Sequence, residues 1–249
     1  MCEDARKEGA VLARLLAAGV TIIAAFASLS IAGATSTAGA RYEPVLHPGE
    51  FTTVIDNRYF PLPVGRTWVY KGIKDGQTQV DTVRVLRRTK LVAEGIRATV
   101  VLDVATHHTR LLEKTFDWYA QDKLGNVWYL GEDTTAYGPG GRRDKSGSWE
   151  AGVEDAEPGL VMKTAPRILD TYRQEYLPGT AEDTAWTVGT TGSITVPFGT
   201  FRHVLTSLEA TRVEPGLYDQ KVYARGIGNI FERSVTGPRE TALLVAIHD

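Results

Sequence analysis

The hydrophobic pattern beyond residue 40 is that of short strands separated by turns. Residues 96–104 carry apolar side chains at the even positions and mostly polar ones between them, as in a strand with one buried face. Similar stretches, rich in β-branched and aromatic residues, are separated by turns that contain Gly, Asp or His. No stretch beyond residue 40 shows sustained helical periodicity. The pattern predicts an all-β domain whose first strands are 67–70, 80–86, 96–104, 109–121 and 126–130.

A β-hairpin over residues 116–133 is the strongest local prediction. Two aromatic-rich runs flank the turn sequence 122–126, in which Gly125 and Asn126 can adopt the positive φ of a bulged turn. A shortened copy of this hairpin follows near the C-terminus. There, Tyr223-Ala224 precedes a Gly-Asn-Ile-Phe run, as Tyr119-Ala120 precedes Gly-Asn-Val-Trp in the first copy.

Further matches in the same order predict an internal duplication. Each matched pair is offset by 102 to 105 residues: Thr67 with Thr171, Asp81 with Asp183, Val92 with Val196, Ala105 with Ala210, and Tyr119 with Tyr223. The pseudo-repeats are about 63–131 and 167–235. Two open half-sheets would expose edges and apolar faces, which closure against each other removes. We therefore expect residues 41–249 to form a single domain, an antiparallel barrel or a wrapped two-sheet sandwich built from two duplicated halves.

The segment 132–166 has no counterpart in the second half. Its Gly-Pro and Gly-Ser clusters predict mostly loop, while its apolar residues argue against a disordered linker. We expect an ordered flap over one mouth of the β structure. Trp149, surrounded by small residues, is predicted to insert into that mouth and hold the flap shut.

Residues 1–40 are distinct from the rest of the chain. Basic residues precede the uncharged run 15–34, and Ala38-Gly39-Ala40 resembles a cleavage site. The segment predicts a signal peptide cleaved near Ala40, or an uncleaved N-terminal membrane anchor helix. Either outcome places the domain outside the cytoplasm, secreted or in the cell envelope. The only cysteine, Cys2, precedes the apolar run, so the mature domain is expected to hold no disulfide and no thiol chemistry.

The net charge of the chain limits which classes of binding partner are expected. The net charge is −2 with no domain-wide basic excess, which argues against nucleic acid. Contact with a membrane is expected only through residues 15–34, and only if they are retained. A small molecule or an envelope component remains as a partner that the sequence does not identify.

Carboxylates and aromatic rings concentrate around the first hairpin and the flap. The candidate ligand-binding residues are Trp118, Tyr119, Trp128, Trp149, Asp117, Glu132, Asp133 and Glu150. Two carboxylates over stacking rings could serve glycoside hydrolysis, and oxygen-rich loops could bind calcium. However, no calcium-loop motif occurs, and the histidines lack zinc-site spacing. We assign no catalytic residue and expect neither a metal nor a cofactor.

Four phrases resemble an uncharacterised family of exported bacterial all-β proteins. They are V-P-F-G-T-F at 196–201, Y-A-R-G-I-G at 223–228, D-W-Y-A-Q-D at 117–122 and G-S-W-E-A-G at 147–152. The first two also occur in other bacterial envelope β-proteins. The resemblance covers most of residues 51–249 and implies export and β structure. It implies no activity, because no catalytic residues are established for that family.

The sequence therefore favours an extracytoplasmic domain that binds or scaffolds without catalysis. The ligand would be small and apolar or amphiphilic, bound beneath the flap, with Trp68, Trp118, Trp128, Trp149 and Tyr172 as the expected lining. The alternative is a carbohydrate-active hydrolase that uses paired carboxylates. Two acids facing each other across an aromatic cleft, about 5–9.5 Å apart, would favour the hydrolase.

Overall fold

The computed structural model describes residues 42–74, 76–92 and 95–249. The predicted signal peptide or anchor at residues 1–40 lies outside the described residues, so it stays a prediction. In the described part, no helix is long and apolar enough to span a membrane. That part consists of β-strands, connecting turns and two single-turn 3₁₀ helices, Pro48–Glu50 and Pro139–Gly141. The all-β prediction is confirmed.

Fifteen strands form one antiparallel sheet. Each strand predicted in the first half is present, and most extend further than the pattern indicated. In chain order the strands are β1 (Phe51–Thr52), β2 (Thr67–Lys74), β3 (Gln77–Leu91), β4 (Arg97–His107), β5 (Arg110–Asp122), β6 (Val127–Tyr137), β7 (Arg143–Asp144), β8 (Trp149–Glu150), β9 (Gly159–Met162), β10 (Thr171–Arg173), β11 (Asp183–Val196), β12 (Gly199–Thr211), β13 (Tyr218–Ala224), β14 (Gly228–Ser234) and β15 (Thr241–His248).

The strand order is the same in both halves of the chain. Strands β2 to β6 form one antiparallel meander, and strands β10 to β14 form a second one. Strand β15 pairs with both β14 and β2, and so joins the two meanders into a continuous sheet. This is the connection order that the duplication predicts. The duplication itself stays a prediction about the origin of the two halves.

The sheet wraps around until its ends meet, but it is not closed by a hydrogen-bonded ladder. Strand β9 lies against β10, and a single bridge joins Glu157 to Tyr176. A glycine at 159 makes this approach possible, because a Cβ there would lie 1.8 Å from the backbone oxygen of Gln174. The wrapped arrangement therefore depends on one position without a side chain.

The segment after the first hairpin is more regular than the predicted loop. Strand β6 continues to Tyr137, and the short strands β7, β8 and β9 all pair with β6. Since an unpaired edge strand exposes its backbone groups, this pairing covers the edge that β6 would otherwise present. Gly131 has φ 127°, and a Cβ there would lie 2.4 Å from the Trp149 oxygen, so β8 can approach closely only at a glycine. Strands account for 14 of the 35 residues 132–166, so most of the segment is still turn and loop, and what the sequence did not indicate is its pairing with β6.

Both faces of the first meander are buried, which the alternating pattern did not indicate. Apolar side chains on the outer face form a small cluster that includes Ala98, Val100 and Trp118. The segment before β2 covers this cluster with Leu46 and Phe51. The inner face packs against the second meander and contributes to the main core. Strand β4 therefore has buried residues on both faces, although its polar face reads as solvent-exposed in the sequence.

Candidate functional site

The interior of the wrapped sheet has an apolar layer and a polar layer. On β2, the inward residues run from Trp68 and Tyr70 to Lys74, and on β3 Val83 lies opposite Trp68 while Asp81 lies opposite Tyr70. The other strands that face the interior change from apolar to polar side chains at similar positions along the strand direction. The interior therefore changes from hydrocarbon to charged groups along the strand direction.

We call the charged layer the polar belt. It comprises eight carboxyl and two amino groups, each at most 8% exposed: Lys74, Asp81, Asp103, Glu113, Asp117, Glu132, Glu175, Glu209, Lys221 and Glu232. Buried charges are stable only when they are paired, hydrogen-bonded or neutralised by a change in protonation. With eight acids and two amines, pairing alone cannot neutralise the belt.

One tyrosine joins two of the predicted site residues. The Tyr129 hydroxyl lies 2.7 Å from Asp117 Oδ1 and 3.0 Å from Glu132 Oε2. A hydroxyl has a single hydrogen to donate, so one carboxyl must carry a proton and donate it to the phenol oxygen. Burial raises the pKa of Asp117 to about 7. Burial, and then the nearby Asp117, raise the pKa of Glu132 well above its usual range. Near neutral pH the two carboxyls therefore share at least one proton, which belongs to the pair rather than to either residue.

The remaining carboxyls of the first meander also favour the protonated form. Burial raises the pKa of Asp81 and of Asp103 well above the usual range, although Lys74 opposes the rise at Asp81. Burial raises the pKa of Glu113 to about 7, again against the effect of Lys74. Near neutral pH, much of the belt on this side is therefore uncharged carboxylic acid rather than a set of carboxylates.

The second meander contributes an ion pair. Lys221 Nζ lies 2.7 Å from Glu209 Oε2 and 4.0 Å from Glu232 Oε2. The two carboxylates raise the pKa of Lys221 well above its ordinary value, although burial opposes the rise. Burial raises the pKa of Glu232 to about 8, even though Lys221 lowers it. The amine therefore stays charged, with Glu209 as its closer partner.

Several carboxyl oxygens of the belt have no hydrogen-bond partner among the described residues. They are Asp81 Oδ1, Asp103 Oδ2, Glu113 Oε2, both oxygens of Glu175 and Glu232 Oε2. In the same part of the chain, no group of three or more His, Cys, Asp or Glu side chains is arranged to hold a metal ion.

Four of the eight predicted site residues meet inside the sheet, around Tyr129. Tyr119 stacks on the Tyr129 ring at a centroid distance of 4.7 Å, and Trp149 meets it edge-on at 5.2 Å. Asp117 and Glu132 bind its hydroxyl. Trp149 is 5% exposed and belongs to the main core, so its insertion beneath the flap agrees with the prediction.

The other four predicted residues lie on the outer face or at its edge. Trp118 packs in the outer cluster beneath Lys90, whose Nζ lies 2.9 Å from Glu150. Trp128 donates from Nε1 to Asp122 Oδ2 at 3.0 Å. The remaining acid, Asp133, pairs with a surface lysine. Because adjacent strand residues point to opposite faces, the sequence cluster divides into two sets that share no cavity.

An apolar pocket opens beside the apolar layer of the interior. It offers about 380 Å³, part of it open to solvent, and is lined by Phe60, Pro61, Leu62, Trp68, Tyr70, Val83, Ile227, Gly228 and Asn229. Trp68 Nε1 donates to the Ile227 oxygen, and the Tyr70 hydroxyl donates to the Asn229 oxygen, each at 2.9 Å. Both polar groups are therefore satisfied within the protein, and the rings present carbon to the pocket.

The pocket differs from the predicted binding surface in most of its residues. Of the five aromatic residues expected as lining, Trp68 alone contributes to this pocket. Residues 60–62, which precede β2, and residues 227–229 at the start of β14 supply most of the rest, together with Tyr70 and Val83. Neither segment has a hydrophobic period, so no sequence pattern pointed to them. The clue that was present is Trp68 at the start of a strand that begins after a Pro-rich stretch.

Comparisons with known proteins give two distant likenesses. No protein-family model and no curated protein matches the chain. A proposed exported protein with a YmcC-like fold, from Bacteroides fragilis, is 15% identical with a TM-score of 0.46, over 78% of this chain and 100% of the other. A proposed lipoprotein from Parabacteroides distasonis is 14% identical with a TM-score of 0.40, over the same shares. At this distance they assign no function, and the family resemblance stays a prediction.

Proposed function

We propose that residues 41–249 form an extracytoplasmic, non-catalytic binding domain that takes a small apolar or amphiphilic ligand. The apolar pocket is the observation that carries this proposal. Ligand pockets are mostly apolar concavities with a few polar groups at fixed positions. The pocket is small, so its ligand would be no larger than a short alkyl chain or a single ring.

Hydrogen bonds within the protein fix the walls of the pocket. The hydrogen bonds of Trp68 and Tyr70 to the β14 side hold two large rings at fixed positions. Ligand binding therefore requires little ordering of side chains, which would otherwise reduce affinity. Residues from both meanders line the pocket, so the ligand would also bridge the two halves of the sheet.

Burial argues against the hydrolase alternative. Asp117 and Glu132 lie within reach of one phenol, which is close enough for a carboxylate pair. However, each is only 2% exposed, and the rings of Tyr119 and Trp149 pack beside them. A glycosidase must place its acid and its nucleophile or base against the sugar. These two carboxyls have no surface to offer a sugar, so the structure favours binding over hydrolysis.

The extracytoplasmic location rests on the N-terminal sequence. An uncharged run at 15–34 followed by Ala38-Gly39-Ala40 fits a secretory leader. N-terminal sequencing of the natively expressed protein should begin near Arg41. Recovery of the intact N-terminus in the membrane fraction would show instead that the segment is retained as an anchor.

Binding can be tested with a neutral apolar dye such as Nile red, whose fluorescence rises in an apolar site. We expect the wild type to bind the dye, and Val83→Phe, which fills the pocket, to weaken binding at least tenfold. Val188→Phe is the matched control, because Val188 is 46% exposed on β11 and does not line the pocket. A wild type that binds no dye, or equal binding by the two variants, would overturn the proposal.

A further inference from the structure

A second concavity, distinct from the apolar pocket, lies where β11 and β12 meet the loop that precedes β10. It has a volume of about 1330 Å³, part of it open to solvent, and Arg58, Arg167, Arg225 and His203 are among its lining residues. No acidic side chain lines it in the described part of the chain. We call it the basic cleft. This concentration of basic side chains contrasts with the formal net charge of −2 for the whole chain.

Irregularities in the β11–β12 ladder shape one wall of the cleft. The ladder pairs Gly189 with Thr206 and then Gly192 with Val204, so Thr190 and Thr191 have no ladder partner. On β12, His203 is likewise omitted, because Arg202 already pairs with Ser193. Thr190, Thr191 and His203 line the cleft. A bulge re-aims side chains that regular pairing would fix, and bulges are frequent beside binding sites.

The bulge holds His203 in a conformation that favours glycine. Its φ is 53°, in the left-handed region that non-glycine residues seldom adopt. Such a conformation costs free energy and persists where the surroundings impose it, often at ligand sites. The hydroxyls of Thr190 and Thr191 and the His203 ring add further hydrogen-bonding groups to the cationic wall.

Two of the three arginines, Arg58 and Arg225, are positioned by neutral partners rather than by carboxylates. Arg225 Nε donates to the Tyr59 hydroxyl at 3.0 Å, and Arg58 Nη2 donates to the Thr164 oxygen at 3.2 Å. Both guanidinium groups lie within 6 Å of the Tyr59 ring, at 5.8 and 5.7 Å. Arg167 donates from its backbone nitrogen to Asp170 Oδ2 at 2.7 Å, and its guanidinium charge also contributes to lowering the pKa of Asp170.

None of these guanidinium groups forms an ion pair among the residues that the structure describes. Elsewhere on the surface, cations such as Lys90, Lys145 and Lys163 have a carboxylate within 3.0 Å. Three like charges around one concavity repel each other, and an anion between them would remove that repulsion. The guanidinium groups that face the cleft therefore lack the carboxylate partner that arginine side chains often have.

We propose that the basic cleft binds a small molecule that carries a phosphate group. Guanidinium groups match phosphate with paired, charge-assisted hydrogen bonds, and a tetrahedral dianion can be approached from three directions at once. A carboxylate offers its oxygens in a single plane, so it suits one or two guanidinium groups rather than three. The volume exceeds that of an inorganic ion, so an organic part of the ligand has room beside the phosphate.

Calorimetric titration of the purified protein tests this site, with inorganic pyrophosphate, glycerol 3-phosphate and neutral glycerol as probes. We expect the two phosphates to bind, more weakly as salt is raised because exposed charges are screened, and glycerol not to bind. Arg167→Gln and Arg225→Gln should each weaken phosphate binding about 10- to 100-fold. Arg212→Gln is the control, since Arg212 is exposed and pairs with Glu182 outside the cleft.

A second arm separates soluble phosphates from lipid headgroups. Vesicles of phosphatidylglycerol are compared with vesicles of phosphatidylcholine, which carries no net charge. Binding to the anionic vesicles that Arg225→Gln abolishes would support the phosphate site with a lipid as the source. No binding to any phosphate probe or anionic vesicle at low salt, or equal loss in Arg212→Gln, would overturn the proposal. Nile red binding by Arg225→Gln should be unchanged, so this result stands apart from the apolar pocket.

Discussion

Replacing Glu113 by glutamine should remove part of the pH dependence of stability. The Glu113 side chain is buried on the inner face of β5, where Thr115 Oγ1 donates to Oε1 at 3.3 Å and Oε2 has no hydrogen-bond partner. Burial raises its pKa from 4.5 to about 7, although Lys74 and Thr115 oppose the rise. The folded state therefore holds the proton at pH values where the unfolded chain has released it.

The sign and the size of the pH effect on stability follow from the difference in the pKa of Glu113 between the folded and the unfolded state. Between pH 4.5 and about 7 the folded state binds more protons, so the free energy of unfolding falls as the pH rises. A shift from 4.5 to about 7 corresponds to about 3 kcal/mol, at 1.36 kcal/mol for each pKa unit. That stabilisation is present below the unfolded-state pKa and lost once the pH passes the folded-state pKa. Glutamine resembles the protonated acid and cannot lose a proton.

Urea unfolding at pH 5, 6, 7 and 8 measures this difference. We expect the wild type to lose stability across the series, and Glu113→Gln to match it near pH 5 but to exceed it by up to about 3 kcal/mol at pH 8. Glu154→Gln is the control, because Glu154 is exposed. Wild-type stability that rises from pH 5 to pH 8, or an undiminished slope in Glu113→Gln, would refute the reasoning.

Three further predictions test the packing around the polar belt. Trp149→Ala should cost about 3–5 kcal/mol, because the buried indole ties the flap to the core, and should speed proteolysis between residues 138 and 159; unchanged melting and cleavage would contradict this. Tyr129→Phe should cost about 1.5–3 kcal/mol in urea unfolding, since its hydroxyl binds two carboxyls, whereas Tyr218→Phe at an exposed site should not. Lys221→Met should cost about 3–5 kcal/mol at pH 8 and less at pH 5, where the stranded acids can take up protons; an equal loss at both pH values would contradict the ion-pair assignment.

The strand positions were predictable from the sequence because the alternating period is a local property. Residues 96–104 gave β4 to within a few residues of its observed bounds, Arg97–His107. The strands β7, β8 and β9 were missed because two to four residues contain too little pattern. They exist because the edge of β6 needs a partner, which is a property of the assembled sheet and not of the segment.

The site was only partly predictable, since its polar groups lie where the pattern indicates solvent. Asp103 is 5% exposed, yet in the sequence it occupies the polar side of an alternating strand. The alternation identified one buried face of β4, and the N-terminal segment covers that face. The second face is buried because the sheet wraps around on itself. A polar interior therefore looks like a solvated surface until the topology is known.

The basic cleft was also not predictable from the sequence, for a different reason. Its arginines come from three separated parts of the chain, Arg58, Arg167 and Arg225, and no spacing rule relates them. Its histidine, His203, lacks zinc-site spacing in the sequence, and nothing in its neighbours along the chain indicates a place in this cleft. What brings His203 to the cleft is an omitted ladder position, and a bulge of this kind changes no hydrophobic period.

The two meanders share a ladder position but differ in the charge they place there. Asp117 lies opposite Glu132 in the first, and Lys221 lies opposite Glu232 in the second. The predicted duplication equates Asp117 with Lys221, because each precedes by two residues the tyrosine that the matched hairpins share. With an amine, the second meander keeps an ionised pair. The first meander has no amine at this position, and there Asp117 and Glu132 share a proton through the Tyr129 hydroxyl. The presence of an amine at this ladder position therefore allows an ion pair, and its absence leaves protonation to neutralise the neighbouring acids.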